Sequence, residues 1–281
     1  SNAIAADLWR ALEKASGEPV AQIAKAWIEQ PGFPLITLER GEREHAGELH
    51  VKQQRFLASP ITKSPGGEPL VWPVPVVLKM PGRGAAGKSQ RALLRRARDR
   101  IAAPGKKLPA WYYGNAGESG FYRVAHDPET LKTLAADPVN TLEPVERMGL
   151  LGNQWAIVRA GRAAIGSFME LVGAFGSEPD YEVLEALAGP LAFIDDQLAD
   201  AAGPGTRAEF QEWLWSTFGS AWGKMTWEAR RGEAEGNRLR RAALLRLVGV
   251  IGEDPAIGSG AVERVERYLA QLIGRLSQSP E

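Results

Sequence analysis

Apolar and polar residues recur along this chain with two different periods, and the change from one to the other divides it. In residues 4–32 the period is helical. Leu8 and Leu12 lie one turn apart ahead of Gly17, and Val20, Ile23, Ala24 and Trp27 recur at spacings of three and four before Pro31-Gly32. From Phe33 the period becomes two. Leu35–Leu38 and Leu49–Val51 read as strands. Leu70–Met80 reads as a longer strand, in which Pro73 and Pro75 cannot donate ladder bonds, which predicts an edge or a bulge. Ser89–Ala103 supports two readings: a basic helix from Leu93, Leu94 and its arginines, or a strand from its place between strands. Trp111–Asp127, WYYGNAGESGFYRVAHD, has aromatic arms around a turn built on Asn115, Gly117 and Gly120. Gly and Asn tolerate positive φ, so the stretch predicts a hairpin that closes the sheet region.

Beyond Asp127 the period is helical throughout. Met148, Leu151, Trp155 and Val158 form one stripe, and Ile165, Phe168, Met169 and Val172 the next. Leu184, Leu187, Leu191, Ile194 and Leu198 form a third, with Gly189-Pro190 as a predicted kink. Thr206 with Glu209 predicts a capping box before Phe210, Trp213 and Leu214. Leu244, Leu247, Val248 and Ile251 end at Gly252, and Ser259 is the predicted cap of a helix carrying Val262, Val265, Leu269, Leu272 and Leu276. Short connections favour antiparallel helical hairpins. The expected fold class is therefore α+β in several parts. Residues 1–3 read as a tag remnant and 4–32 as a helical tail. Residues 33–127 read as a small β-sandwich, and 128–281 as an all-α, irregular, superhelical repeat.

Several segments, in order, resemble the C-terminal region of zinc aminopeptidases of the aminopeptidase N type. WIEQPGFPLITLER (Trp27–Arg40) resembles the point where their catalytic domain hands over to a β-sandwich. VKQQRFL (Val51–Leu57), WPVPV (Trp72–Val76) and the Trp111–Asp127 stretch resemble strands of that sandwich. LEPVERMGLLGNQWAIVRAG (Leu142–Gly161) and SEPDYEVLEAL (Ser177–Leu187) resemble the first helices of their helical domain. Gly114 and His126 depart from the family's pattern, and Ser89–Ala103 has no clear counterpart in it. The resemblance implies a helical domain that shapes and gates access to the active-site chamber. It also implies that the catalytic domain of the same chain is the main partner, and that peptides are the substrates of the parent enzyme. The family's catalytic signature is a His-Glu-x-x-His helix with a downstream Glu, which binds zinc and activates water. This chain has three His, at 45, 50 and 126, and none sits in that motif. The expectation is a C-terminal fragment, truncated at both ends, with no catalytic residue and no metal ligand. Zinc is then a cofactor of the parent only, and the fragment carries no stoichiometric zinc.

Charge and composition narrow the alternatives. Lys+Arg and Asp+Glu are both 34, so no overall attraction to nucleic acid or acidic lipid is expected. No apolar run approaches the length of a membrane span. The absence of Cys leaves the compartment open between cytoplasm and periplasm. Gly82–Ser89 matches the phosphate loop G-x-x-x-x-G-K-S, with Lys88 and Ser89 in the ligand positions and Leu191–Asp196 as a possible second metal-holding strand. The surrounding prolines, the helical phase of Asp195 and Asp196, and the missing strand–helix alternation favour a Gly/Ala loop between strands instead.

His45 and His50, with Glu44 and Glu48, are the residue types of a metal site. A five-residue separation puts the two His on neither one helical face nor one strand face, so a solvated turn is the reading kept. Arg91, Arg95, Arg96, Arg98, Arg100, Lys106 and Lys107 form a basic cluster without interleaved aromatics or a known binding motif, which favours a solvated face or a domain contact over nucleic-acid binding. Trp213, Trp215, Trp222 and Trp227 fit helix packing better than a ligand groove. Arg123 is open between a substrate-cleft residue and a structural salt bridge. A stand-alone helical adaptor is the alternative from another class, and a nucleotide hydrolase is the third.

Overall fold

The computed structural model describes residues 4–59, 70–82, 87–105 and 107–276, with the backbone alone over 272–276. Residues 1–3, the interior of the phosphate-loop match at 83–86, and Lys106 lie outside the described residues. The chain divides into two compact units, residues 1–174 and 175–281. It is an α+β protein in which every strand among the described residues precedes residue 127.

The first unit opens with α1 (Ala5–Ser16) and α2 (Val20–Glu29). Six strands follow among the described residues: β1 (Pro34–Arg40), β2 (Glu48–Arg55), β3 (Val74–Met80), β4 (Lys88–Leu94), β5 (Arg98–Ala102) and β6 (Arg123–His126). They form a four-stranded sheet in the order β5-β2-β1-β6 and a two-stranded sheet β3-β4. Alternation along the strands places Ile36, Leu38, Leu49 and Val51 of the larger sheet in one buried core with Trp72, Val74, Val76, Leu78 and Leu94. Gln53 points into the same core. Its amide donates to the carbonyls of Trp72 and Arg96 and accepts from the Trp72 N–H, each at 2.9 Å, so this buried polar group is fully used. α2 is held by the Trp27 indole, which donates to the Pro73 carbonyl at 3.0 Å.

Three expectations are resolved here. Ser89–Ala103 is strand: β4 pairs antiparallel with β3, and β5 pairs antiparallel with β2. Its arginines suggested a helix, but β5 places Arg98 and Arg100 on its exposed side while Ile101 enters the core. Pro75 is exposed on β3, which has one full strand partner among the described residues, as an edge strand should. The predicted hairpin over Trp111–Asp127 does not form. Tyr113 bridges Lys79 of β3, with both backbone N–H···O bonds at 2.8 Å, while β6 pairs parallel with β1 in the other sheet. The stretch therefore crosses from one sheet to the other. The sequence pattern shows two β arms but not their partners.

After β6 come α3 (Pro128–Ala136), α4 (Pro138–Thr141), α5 (Pro144–Arg159) and α6 (Ile165–Gly173), all in the first unit. Asp127 caps α3 by accepting from the Thr130 N–H at 2.9 Å.

The second unit contains α7 (Tyr181–Phe193), which runs through Pro190 into a π-helical turn at Ile194–Ala199 and then α8 (Asp200–Ala202). α9 (Thr206–Trp222), α10 (Glu235–Leu245) with a π turn at Arg246–Ile251, and α11 (Pro255–Leu276) complete it. Its buried residues include Leu184, Leu187 and Leu191 of α7, Leu214 and Phe218 of α9, and Leu244 with Leu247 after it. Two caps differ from expectation. α9 starts on Gly205, whose φ of 87° ends the preceding turn, so Thr206 is already helical. α11 begins at Pro255 and is capped by Asp254, which accepts from the Ile257 N–H at 2.9 Å, five residues ahead of the predicted cap at Ser259.

Candidate functional site

The polar groups of the first unit converge where the 111–127 crossing meets α5. Lys79 points inward from an otherwise apolar strand, and its ammonium donates to Glu146 on the first turn of α5, with side chains 2% and 3% exposed. The other bonds of Glu146 come from backbone: its Oε2 accepts the Glu143 N–H, closing a capping box, and its Oε1 accepts the Gly117 N–H, both at 2.9 Å. The Tyr113 hydroxyl donates to Glu118, and Asn115 holds the turn by accepting from the Gly120 N–H at 2.9 Å. α5 passes this turn at Gly149, where a Cβ would collide with the Glu118 carboxyl. Arg123 reaches Asn153 of α5 at 3.4 Å.

Burial sets the protonation of this cluster. It pushes Tyr113 and Tyr122 well above the usual tyrosine range, so their hydroxyls stay protonated donors. It also raises Glu118, against the opposing pull of the Tyr113 hydrogen bond and Arg123. For Asp127 burial acts upward, but bonds from Tyr112 and Thr130 outweigh it and hold the carboxyl below its ordinary value. His126 is lowered to about 4 by burial, with Asp127 opposing. Its Nε2 accepts the Gly114 N–H at 3.1 Å. The two departures from the family pattern, Gly114 and His126, are thus one contact. A side chain at 114 would also meet Val124 and Leu38 within 2.7 Å. With the Lys79–Glu146 pair sealed from solvent, the cluster joins sheet to helix.

A second cluster lies at the β1–β2 connection. A 3₁₀ turn at Arg43–His45 folds His45 back over β2, so that its ring centroid is 5.7 Å from that of His50. His45 Nδ1 is 3.2 Å from Glu48 Oε2. One ligand atom each from His45, Glu48 and His50 lies within 4.8 Å of the others. The spacing argument failed because the residues do not share one regular element. Glu48 and His50 share a strand face, and the turn supplies His45. Period two along β2 was the signal available in sequence for that pair.

The other sequence candidates resolve individually. Lys88 and Ser89 begin β4, antiparallel to β3, so the phosphate-loop match is followed by a strand where a phosphate site needs a helix N-terminus. Asp195 lies in helix, 3.4 Å from Arg207, and Asp196 is in the same helical turn. Arg98 and Arg100 line a groove of about 510 Å³ on the outer face of the larger sheet together with Glu39, His50 and Lys52. Trp213 stacks on Phe210, and Trp222 packs edge-on to Trp227 at 5.3 Å, beneath Arg264. These are packing contacts within the helical unit.

A family model described as the ERAP1-like C-terminal domain matches residues 111–277, more than half of the chain. The chain belongs to the ERAP1-like C-terminal domain family. The match spans the sheet crossing, the Lys79-bridged turn and α3–α11. Relatives extend the similarity towards the amino terminus. Aminopeptidase M1 of Arabidopsis thaliana is 30% identical over 285 residues, covering 96% of this chain and 31% of that protein. Aminopeptidase M1-A of Oryza sativa subsp. japonica is 29% identical over 275 residues, 95% of this chain and 29% of that protein. The puromycin-sensitive aminopeptidase of Caenorhabditis elegans is 31% identical over 191 residues, 66% of this chain and 19% of that protein. The chain thus spans under a third of the length of these relatives.

The resemblance read from WIEQPGFPLITLER onward is borne out by these matches. The His-Glu-x-x-His zinc site that it implies for the parent does not fit the three histidines of this chain, two of which precede the matched residues 111–277. His126 is partly buried with its Nε2 already bonded to the Gly114 N–H, and His45 and His50 sit on a turn and a strand rather than one turn apart on a helix.

Proposed function

We propose that this chain is the C-terminal, non-catalytic part of a zinc-dependent aminopeptidase that removes N-terminal residues from peptides. In this reading residues 33–127 serve as a β-sandwich spacer. Residues 128–281 serve as an irregular helical repeat that shapes and gates access to the active-site chamber, with the catalytic domain of the same chain as its partner. The observation that carries the reading is the coverage. Relatives named as aminopeptidases align with 95–96% of this chain while it accounts for 29–31% of theirs. The missing His-Glu-x-x-His motif supports a role outside the chemistry, since the family's hydrolysis needs a zinc-polarised water and a carboxylate base. The sealed joint between β3 and α5 suits a part that carries shape rather than reactivity.

The test compares the chain with its parent protein on aminoacyl-amide substrates. The chain alone releases no amino acid, with or without added zinc. The parent does, and loses the activity to a chelator. Chelator-sensitive hydrolysis by the chain itself overturns the non-catalytic assignment. An inactive, zinc-free parent overturns the aminopeptidase reading and favours a helical adaptor.

A further inference from the structure

We propose that His45, Glu48 and His50 form a binding site for a borderline divalent transition ion of the zinc, cobalt or nickel class, separate from the chemistry of the aminopeptidase. Two imidazoles and one carboxylate are the donor set such ions take, and hard ions such as Mg²⁺ and Ca²⁺ do not favour it. The donors are already gathered, each within 4.8 Å of the others. A tetrahedral ion holds its donors about 3.3 Å apart at ordinary zinc–ligand distances. The His45–Glu48 pair meets that at 3.2 Å, so small side-chain rotations complete the set.

The second observation is unspent polarity. Among the described residues His50 Nε2 is a buried atom with no hydrogen-bond partner, and buried Glu48 Oε2 has ion-pair contacts to His45 and Arg100 but no hydrogen bond. A buried acceptor left in that state costs free energy that a bound cation would recover. Glu44 adds an outer partner: its Oε1 lies 3.6 Å from His45 Nε2, the ring nitrogen away from Glu48, where a carboxylate orients a ligating imidazole. Arg100 comes from β5, the strand paired with β2, and its guanidinium lies 3.6 Å from Glu48 Oε2 and 3.4 Å from His45 Nδ1. It occupies the cation's electrostatic place. Its side chain is 57% exposed, which leaves it free to swing out when an ion enters. The ion would then tie the β1–β2 turn to the face of the larger sheet.

This inference replaces the expectation that the chain takes no metal. It does not depend on the aminopeptidase reading, because its readout is binding and not turnover. ZnCl₂ is titrated by calorimetry into the chain prepared without a polyhistidine tag, and CoCl₂ is followed by visible absorption. The expected result is one zinc per chain, cobalt bands of a low-coordinate nitrogen and oxygen site, and an upward shift of melting temperature with zinc. His45→Ala and His50→Ala each weaken binding at least about tenfold, a loss of ligand costing no less than loss of an outer partner. Arg100→Gln tightens it by removing a competing charge. His45 lies on a partly exposed turn, so His45→Ala keeps the test valid if His50→Ala misfolds. No binding at roughly millimolar zinc, wild-type affinity in His45→Ala, or equal binding of Ca²⁺ overturns the proposal, since any of these removes the nitrogen-ligand site.

Discussion

Removing the Lys79 ammonium should cost the first unit more than any ordinary surface substitution. In Lys79→Met the apolar stem is kept and only the charge is lost, leaving the Glu146 carboxylate 3% exposed. Breaking one side of a buried ion pair costs about 3–5 kcal/mol. Glu146 would keep the N–H bonds from Glu143 and Gly117, which places the expectation at the lower end, about 3 kcal/mol, or roughly a hundredfold in the folded-to-unfolded ratio. Lys79→Met/Glu146→Gln removes both charges while retaining an amide oxygen for the Gly117 N–H. The double variant should therefore recover part of the loss, giving a coupling of about 1–3 kcal/mol. Because the chain has two units, the assay is native-state hydrogen exchange of β3 and α5 amides, which reports the opening of this unit directly. A Lys79→Met cost below about 0.5 kcal/mol, or strict additivity in the double variant, would refute the joint.

His126 should make the first unit acid-sensitive. Its folded value of about 4 lies below the ordinary 6.5, so between those values the unfolded chain takes up a proton that the native state refuses. Stability therefore falls as pH drops from about 6.5 to 4, by about 3 kcal/mol. The comparison is with His126→Gln, and equal pH slopes in the two proteins would contradict the burial assigned to His126. Gly149→Ala should destabilise by about 1 kcal/mol or more despite the better helix propensity of alanine, because the new methyl meets the pinned Glu118 carboxyl; urea unfolding showing a stabilised variant refutes this. Mg·ATP at millimolar concentration should give no heat of binding, and micromolar binding lost in Lys88→Ala would reverse that conclusion.

Much of the architecture is local and therefore legible in one dimension. The change of period at Asp127 marks where strands end, because period two and period 3.6 are properties of single elements. Pro75 announces a strand at a sheet edge, since a missing N–H is a property of the residue itself, while Pro73 lies just ahead of β3. The order of the family-like segments from Trp27 to Leu187 was legible for the same reason. Pairing between distant residues was not. Tyr113 bonds across to Lys79 rather than back to its own hairpin arm, and β6 lies parallel to β1, choices made by which surfaces are left to bury. Lys79 reads as an interruption of an apolar strand until Glu146 arrives from α5 to meet it. His45 and His50 look mismatched by any single period until the 3₁₀ turn folds one over the other. Sequence spacing specifies direction within one helix or strand, whereas convergence between elements depends on turns and packing that only the folded chain defines.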